Sequence, residues 1–98
     1  NEAEYHGLLA GLKEVLSRGG TEVEVFMDSE LVIKQLKGQY RVKAANLIPL
    51  NREAVDILTR MRSAKVTHVR RENEVIIKAD ALVNWTLDQH GLARQLRR

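Results

Sequence analysis

Residues 23–36 read VEVFMDSELVIKQL. Apolar residues lead straight into a carboxylate, Asp28, and a helical pattern begins immediately afterwards. Residues 22–27 alternate Glu22, Val23, Glu24, Val25 before Phe26 and Met27, as a strand with one well-buried face does. Leu31, Val32 and Leu36 then recur at helical spacing from about Ser29 to Leu36, and Gly38 stops the pattern. A strand running into a helix is the unit of a layered α/β fold. Charge at such a junction is costly to hold, so Asp28 needs a reason. It is either a helix cap or one wall of a cation site.

The same two periods organise the rest of the chain. Residues 2–17 carry Tyr5, Leu8, Leu9, Leu12 and Leu16 on one helical stripe, closed by Gly19-Gly20. A polar basic connection, KGQYRVKAAN, leads to a long amphipathic helix marked by Leu47, Leu50, Ala54, Ile57, Leu58 and Met61. Asn46 is its expected N-cap, and Pro49 falls in the first turn, where a missing N–H does no harm. Residues 64–69, AKVTHV, read as a second strand. A last helix is expected from about Ile76 to Gln89, with Ala79, Val83 and Leu87 inward, before His90-Gly91 and a basic tail over about 90–98. The order helix, strand, helix, helix, strand, helix implies two parallel strands and about four helices in one domain spanning 1–98. Two strands are too small a sheet for four helices, so its remaining strands are expected from the rest of the protein or from an oligomer partner.

Composition narrows the function classes. Of 98 residues, 44% are hydrophobic, 30% are charged and none is cysteine. Disulfides and thiolate metal sites are therefore excluded, and the expected location is cytoplasmic. No apolar run is long enough to span a membrane. Net charge is +3 but uneven. Residues 1–36 hold three Lys/Arg against seven Asp/Glu, and residues 37–98 hold thirteen against six. An acidic part joined to a basic part suits a protein that gathers carboxylates beside a bound polyanion.

Ligands of parallel sheets bind outside the C-terminal ends of the strands. Asp28 lies at one such end and His68 at the next. Glu4 stands in the first turn of the first helix, and Asp80 is expected in the first turns of the last, near the same rim. Three carboxylates and a histidine suit a hard divalent cation such as Mg2+ or Mn2+. Singly, each has a plainer reading: Asp28 as a cap, Glu4 as a partner of the helix dipole, Asp80 as a solvated face residue, His68 as a satisfied strand-end histidine.

Three motifs occur in order: NEAEYHGLLAGL, VEVFMDSELVIKQLKGQYRVK and HVRREN followed by ADALVN. Together they resemble the ribonuclease H type 1 superfamily, in its reverse-transcriptase-like bacterial and archaeal branch, over Asn1 to about Asp88. The resemblance implies a ribonuclease H-like α/β fold with a mixed sheet of order 3-2-1-4-5. The chain would be its C-terminal portion, following a three-strand meander whose first strand carries a further Asp. It implies endonucleolytic hydrolysis of the RNA strand of RNA/DNA hybrids by two-metal-ion catalysis. Glu4, Asp28 and Asp80 would be metal ligands, two Mg2+ or Mn2+ ions the cofactor, and His68 an aid to proton transfer. Asn1, Ser29, Tyr40, Arg41 and Lys43 would contact nucleic acid. The resemblance also makes the 98-residue chain alone inactive, because the first-strand Asp lies outside it. Around the histidine the sequence departs from the family: Arg70 replaces the usual Pro, Ile76 replaces an Asn, and His68 to Asp80 is about two residues longer.

Two other readings remain at this level. One is a non-catalytic ribonuclease H-like module that binds nucleic acid or protein. The other is a receiver-type domain with Asp28 as phospho-acceptor, which would lack the paired acidic residues and the strand-end Lys of that chemistry.

Overall fold

The computed structural model describes residues 1–70, 74–80, 85–88 and 93–95, the last two stretches by their backbone. Helix α1 (Glu2–Ser17) leads to strand β1 (Glu22–Met27), then helices α2 (Glu30–Leu36) and α3 (Ile48–Arg60). Strands β2 (Ser63–His68), β3 (Glu74–Ala79), β4 (Trp85–Asp88) and β5 (Ala93–Gln95) follow. The five form one sheet of order β2-β1-β3-β4-β5. The expected parallel pair is present, with Glu22 opposite Ser63 and Met27 opposite His68. No described helix is long and apolar enough to cross a membrane.

Alternation in β1 decides which face is covered. Val23, Val25 and Met27 are buried, and Val75 and Ile77 of β3 join them across the sheet. Tyr5, Leu8, Leu12 and Val15 of α1, Val32 and Ile33 of α2, and Ala54 and Ile57 of α3 complete this core. The other face places Glu24 between Lys65 on β2 and Lys78 on β3. Opposite charges on neighbouring strands favour that register and suit a solvated surface. Lys78 also lies over the half-buried Phe26 ring, 5.2 Å from its centroid.

Helix ends follow local chemistry. The chain leaves α1 through Gly19, at φ +78°, and leaves α2 through Gly38, at φ +75°; a side chain would be strained at either. The N-cap of α3 is Leu47 rather than Asn46, and Pro49 sits in the first turn as expected. Leu16 and Leu31, each 39% exposed, lie outside the core although their spacing placed them within it.

The last expected helix is corrected. Residues 74–79 and 85–88 are strands, which leaves three helices among the described residues. The chain itself therefore supplies strands beyond the parallel pair, where outside ones were expected. Two forces explain this. The run Val75-Ile76-Ile77 is β-branched and prefers a pleated surface. An uncovered edge of β1 would also leave backbone N–H and C=O groups without partners inside the fold. Strand β3 supplies them in antiparallel register, with Met27 opposite Val75 and Val23 opposite Ala79. His90, Gly91 and the end of the basic tail lie outside the described residues.

Candidate active site

The C-terminal ends of β1 and β2 form the candidate rim. Asp28 follows β1 directly and is half-buried. It does not cap the helix beyond it. Ser29 does, its Oγ accepting the Val32 N–H at 3.2 Å. The serine thus meets the capping requirement and leaves the Asp28 carboxylate available.

His68 ends β2 beside Met27. Its Nε2–H donates to the backbone carbonyl of Asp28 at 2.9 Å, and the same nitrogen lies 3.6 Å from Asp28 Oδ1. The imidazole therefore ties the two strand ends together and fixes one side of the carboxylate.

Glu4 approaches from the first turn of α1. Burial raises its pKa above the usual carboxylate value, and the Asp28 charge raises it further. Two carboxylates that share one field favour a shared cation or a retained proton. Asn1 is exposed at the head of the same helix.

Asp80 is elsewhere. Because β3 runs antiparallel to β1, its C-terminal end lies beside the start of β1, away from Asp28. There one carboxylate oxygen accepts the N–H groups of Thr21 and Glu22, both at 3.0 Å. The other accepts the Thr21 hydroxyl at 2.7 Å. The expectation that Asp80 shares the rim with Glu4 and Asp28 is thereby corrected, since it assumed a helix where the chain forms a strand. No cluster of three or more His, Asp or Glu side chains able to hold a metal ion occurs among the described residues. Glu4 and Asp28 offer oxygen donors of the right kind but only part of a coordination shell, since hard cations take six or more ligands. The described donors alone do not fit a complete metal site.

Tyr40, Arg41 and Lys43 are exposed on the connection after α2. Lys34 Nζ lies 3.5 Å from the Tyr40 hydroxyl and 4.8 Å from its ring centroid. Residues 38–44 separate two clefts, of about 630 and 560 Å3. The second runs from Asn1 past Tyr40 to Lys43.

Sequence reasoning missed Gln35 and Asn51. Gln35 is only 7% exposed, and its Oε1 accepts the hydroxyl of fully buried Tyr5 at 2.8 Å. Asn51 Nδ2 donates to the same hydroxyl at 3.0 Å. Burial raises the Tyr5 pKa, partly offset by the Asn51 hydrogen bond. The available signal was an amide beside Val32, Ile33 and Leu36, on the apolar side of a short helix.

The parallel strand pair ends in a carboxylate and a histidine, and a helix-borne glutamate feels the carboxylate's charge, as expected of a ribonuclease H-like α/β protein. A family profile described as "Reverse transcriptase-like" matches residues 1–86. The chain belongs to this family, within the ribonuclease H superfamily. It is 38% identical to Bifunctional protein Rv2228c of Mycobacterium tuberculosis, over 90% of this chain and 24% of that one. It is also 38% identical to Ribonuclease HI of Halobacterium salinarum, over 90% of this chain and 43% of that one. Among solved structures, the N-terminal RNase H domain of Rv2228c superposes with a TM-score of 0.69 at 39% identity. It covers 72% of this chain and 54% of that one. RNase H1 of Halobacterium salinarum gives 0.68 at 35% identity, with the same coverage. The chain thus spans less than half the length of the two curated relatives named.

Proposed function

We propose that the protein containing this chain is a metal-dependent ribonuclease H that cleaves the RNA strand of RNA/DNA hybrids in the cytoplasm. The observation that carries this reading is Asp28 at the C-terminal end of the parallel strands, bound by His68 and with Glu4 near enough to feel its charge. Glu4 and Asp28 would hold divalent ions, two Mg2+ or Mn2+, together with ligands not assembled among the described residues. Such ions, when bound, would activate water and offset charge on the leaving oxygen. The chain's own residues do the positioning. His68 holds the Asp28 backbone and carries a proton on Nε2. Ser29 stiffens the turn after Asp28, and Asn1 stands ready for the substrate's groove. Arg41 and Lys43 attract phosphate in a salt-dependent way. Discrimination for RNA would come from its 2′-hydroxyls rather than from base sequence.

The test is divalent-dependent cleavage of a labelled RNA/DNA hybrid by the full-length protein, beside duplex DNA and duplex RNA of the same sequence. Cleavage confined to the RNA strand of the hybrid, and abolished by Asp28→Asn, is expected. Activity surviving that substitution would remove Asp28 from the mechanism. A second reading, a non-catalytic nucleic-acid-binding module, is favoured by the placement of Asp80 at the other end of the sheet. It requires binding of the hybrid without cleavage in Mg2+ or Mn2+.

A further inference from the structure

Glu4 is placed by the residue that follows it. Helix α1 packs on the fold through apolar side chains, with Leu8, Leu12 and Val15 buried in the core. Such burial is non-directional. It presses a helix onto a sheet but does little to fix its rotation or its position along its own axis. The first turn also lacks a side-chain cap, since Asn1 makes no such hydrogen bond. The exposed Lys13–Glu53 ion pair to α3 lies more than two turns beyond Glu4. Among the described residues, every hydrogen bond from the first turn to another element passes through one atom, the Tyr5 hydroxyl.

That hydroxyl is held on two sides. Asn51, in the first turn of α3, donates to it at 3.0 Å, and it donates to Gln35 Oε1, in the last turn of α2, at 2.8 Å. Hydrogen bonds are directional, so the two together pin an oxygen that apolar contact alone would leave free to slide. Gln35 belongs to a seven-residue helix whose N-cap is Ser29, the residue after Asp28. One peptide bond leads from Tyr5 to Glu4. The two carboxylates are thus joined through a buried oxygen by a short helix on one side and a single residue on the other.

We propose that Tyr5, Gln35 and Asn51 are positioning residues that set the separation of Glu4 from Asp28. They act through Glu4 and call for no contact with substrate. The assignment rests on the reading that this carboxylate pair serves hydrolysis, and it places a determinant of rate inside the core, away from the rim.

Cleavage of the labelled hybrid by the full-length protein is measured for Tyr5→Phe, Gln35→Met and the double variant, which break one hydrogen bond from its two ends. Thermal melts confirm that each is folded at the assay temperature. Each single substitution is expected to lower kcat about tenfold with KM unchanged, because a misplaced reacting group costs rate rather than binding. The double variant separates position from stability: removing both partners recovers part of the stability but none of the kcat. Val15→Ala opens the core at the far end of α1 and should lower stability with kcat unchanged. A kcat that recovers with stability in the double variant, or falls equally in Val15→Ala, overturns the relay and leaves hydrolysis intact. If the wild type cleaves nothing, the hydrolysis reading falls and the relay is judged by charge coupling. In metal-free buffer at about pH 7, where both carboxylates are charged, urea titrations of Glu4→Gln, Asp28→Asn and the pair together give the repulsion between them. Weaker repulsion in the Tyr5→Phe background upholds the relay, and an unchanged value overturns it.

Discussion

Replacing Tyr5 by Phe removes one oxygen from the centre of the fold and tests the relay that joins α1, α2 and α3. The ring is fully buried, so its apolar packing survives the change. Two hydrogen bonds do not: the 2.8 Å bond to Gln35 Oε1 and the 3.0 Å bond from Asn51 Nδ2. Asn51 is half-buried and can turn to water. Gln35 is 7% exposed, and its oxygen loses a donor that solvent cannot easily replace. An unsatisfied buried acceptor costs about 1–3 kcal/mol, so a loss of about 2 kcal/mol is expected. That is a large share of the ~5–15 kcal/mol typical of a whole domain. In urea, with a slope of about 1–1.5 kcal/mol per molar for a chain this size, the midpoint should fall by about 1–2 M with the slope unchanged. Adding Gln35→Met removes the stranded acceptor and should restore part of the loss. A Tyr5→Phe effect below about 0.5 kcal/mol, or simple additivity in the double variant, would refute the account.

Two further outcomes follow from the carboxylates. Burial and the Asp28 charge raise the Glu4 pKa, so the folded state holds this proton more tightly than the unfolded chain. The stability this lends is fully present below the unfolded value, 4.5, and is lost as pH rises through the higher folded value. In metal-free buffer, Glu4→Gln should therefore gain stability over wild type between pH 4.5 and 7 in urea titrations; a constant difference across that range would contradict the shift. Asp80→Ala removes three acceptor contacts to Thr21 and Glu22 and should cost about 1–2 kcal/mol in the same assay. If Asp80 worked from the acidic rim instead, the substitution would leave stability unchanged and weaken Mn2+ binding.

The legible parts of this fold are those where one period is present. In residues 22–36 a strand pattern gives way to a helix pattern at a single carboxylate, and the structure follows that reading. Helices α1 and α3 are equally plain, because their apolar residues fit only the helical period. Residues 74–88 admit two readings. Ala79, Val83 and Leu87 are spaced as on a helix, whereas Val75 and Ile77 alternate as in a strand. The choice is made by the free edge of β1, a tertiary requirement that no local pattern contains. The candidate site divides in the same way. Glu4, Asp28 and His68 belong to elements whose type was legible; the structure sets His68 against Asp28, and Glu4 feels the Asp28 charge. Asp80 belongs to the ambiguous segment, and it moved to the opposite end of the sheet with that segment. The Tyr5–Gln35–Asn51 relay was hidden for another reason. Its members lie on three helices, and a spacing rule within one helix cannot show that they meet.

The position of β1 between a parallel and an antiparallel neighbour also sets an order of events in time. Its partners arrive from far along the chain, with Glu22 meeting Ser63 and Val23 meeting Ala79. Closing such distant pairs is slow compared with winding α1 or α3. Strand β1 must therefore be among the last elements to lock during folding. Once locked, it has no free edge from which to fray. The amide hydrogens of Val25 and Phe26 should exchange with solvent only when the whole molecule opens, while those of β2, at the margin of the sheet, exchange sooner.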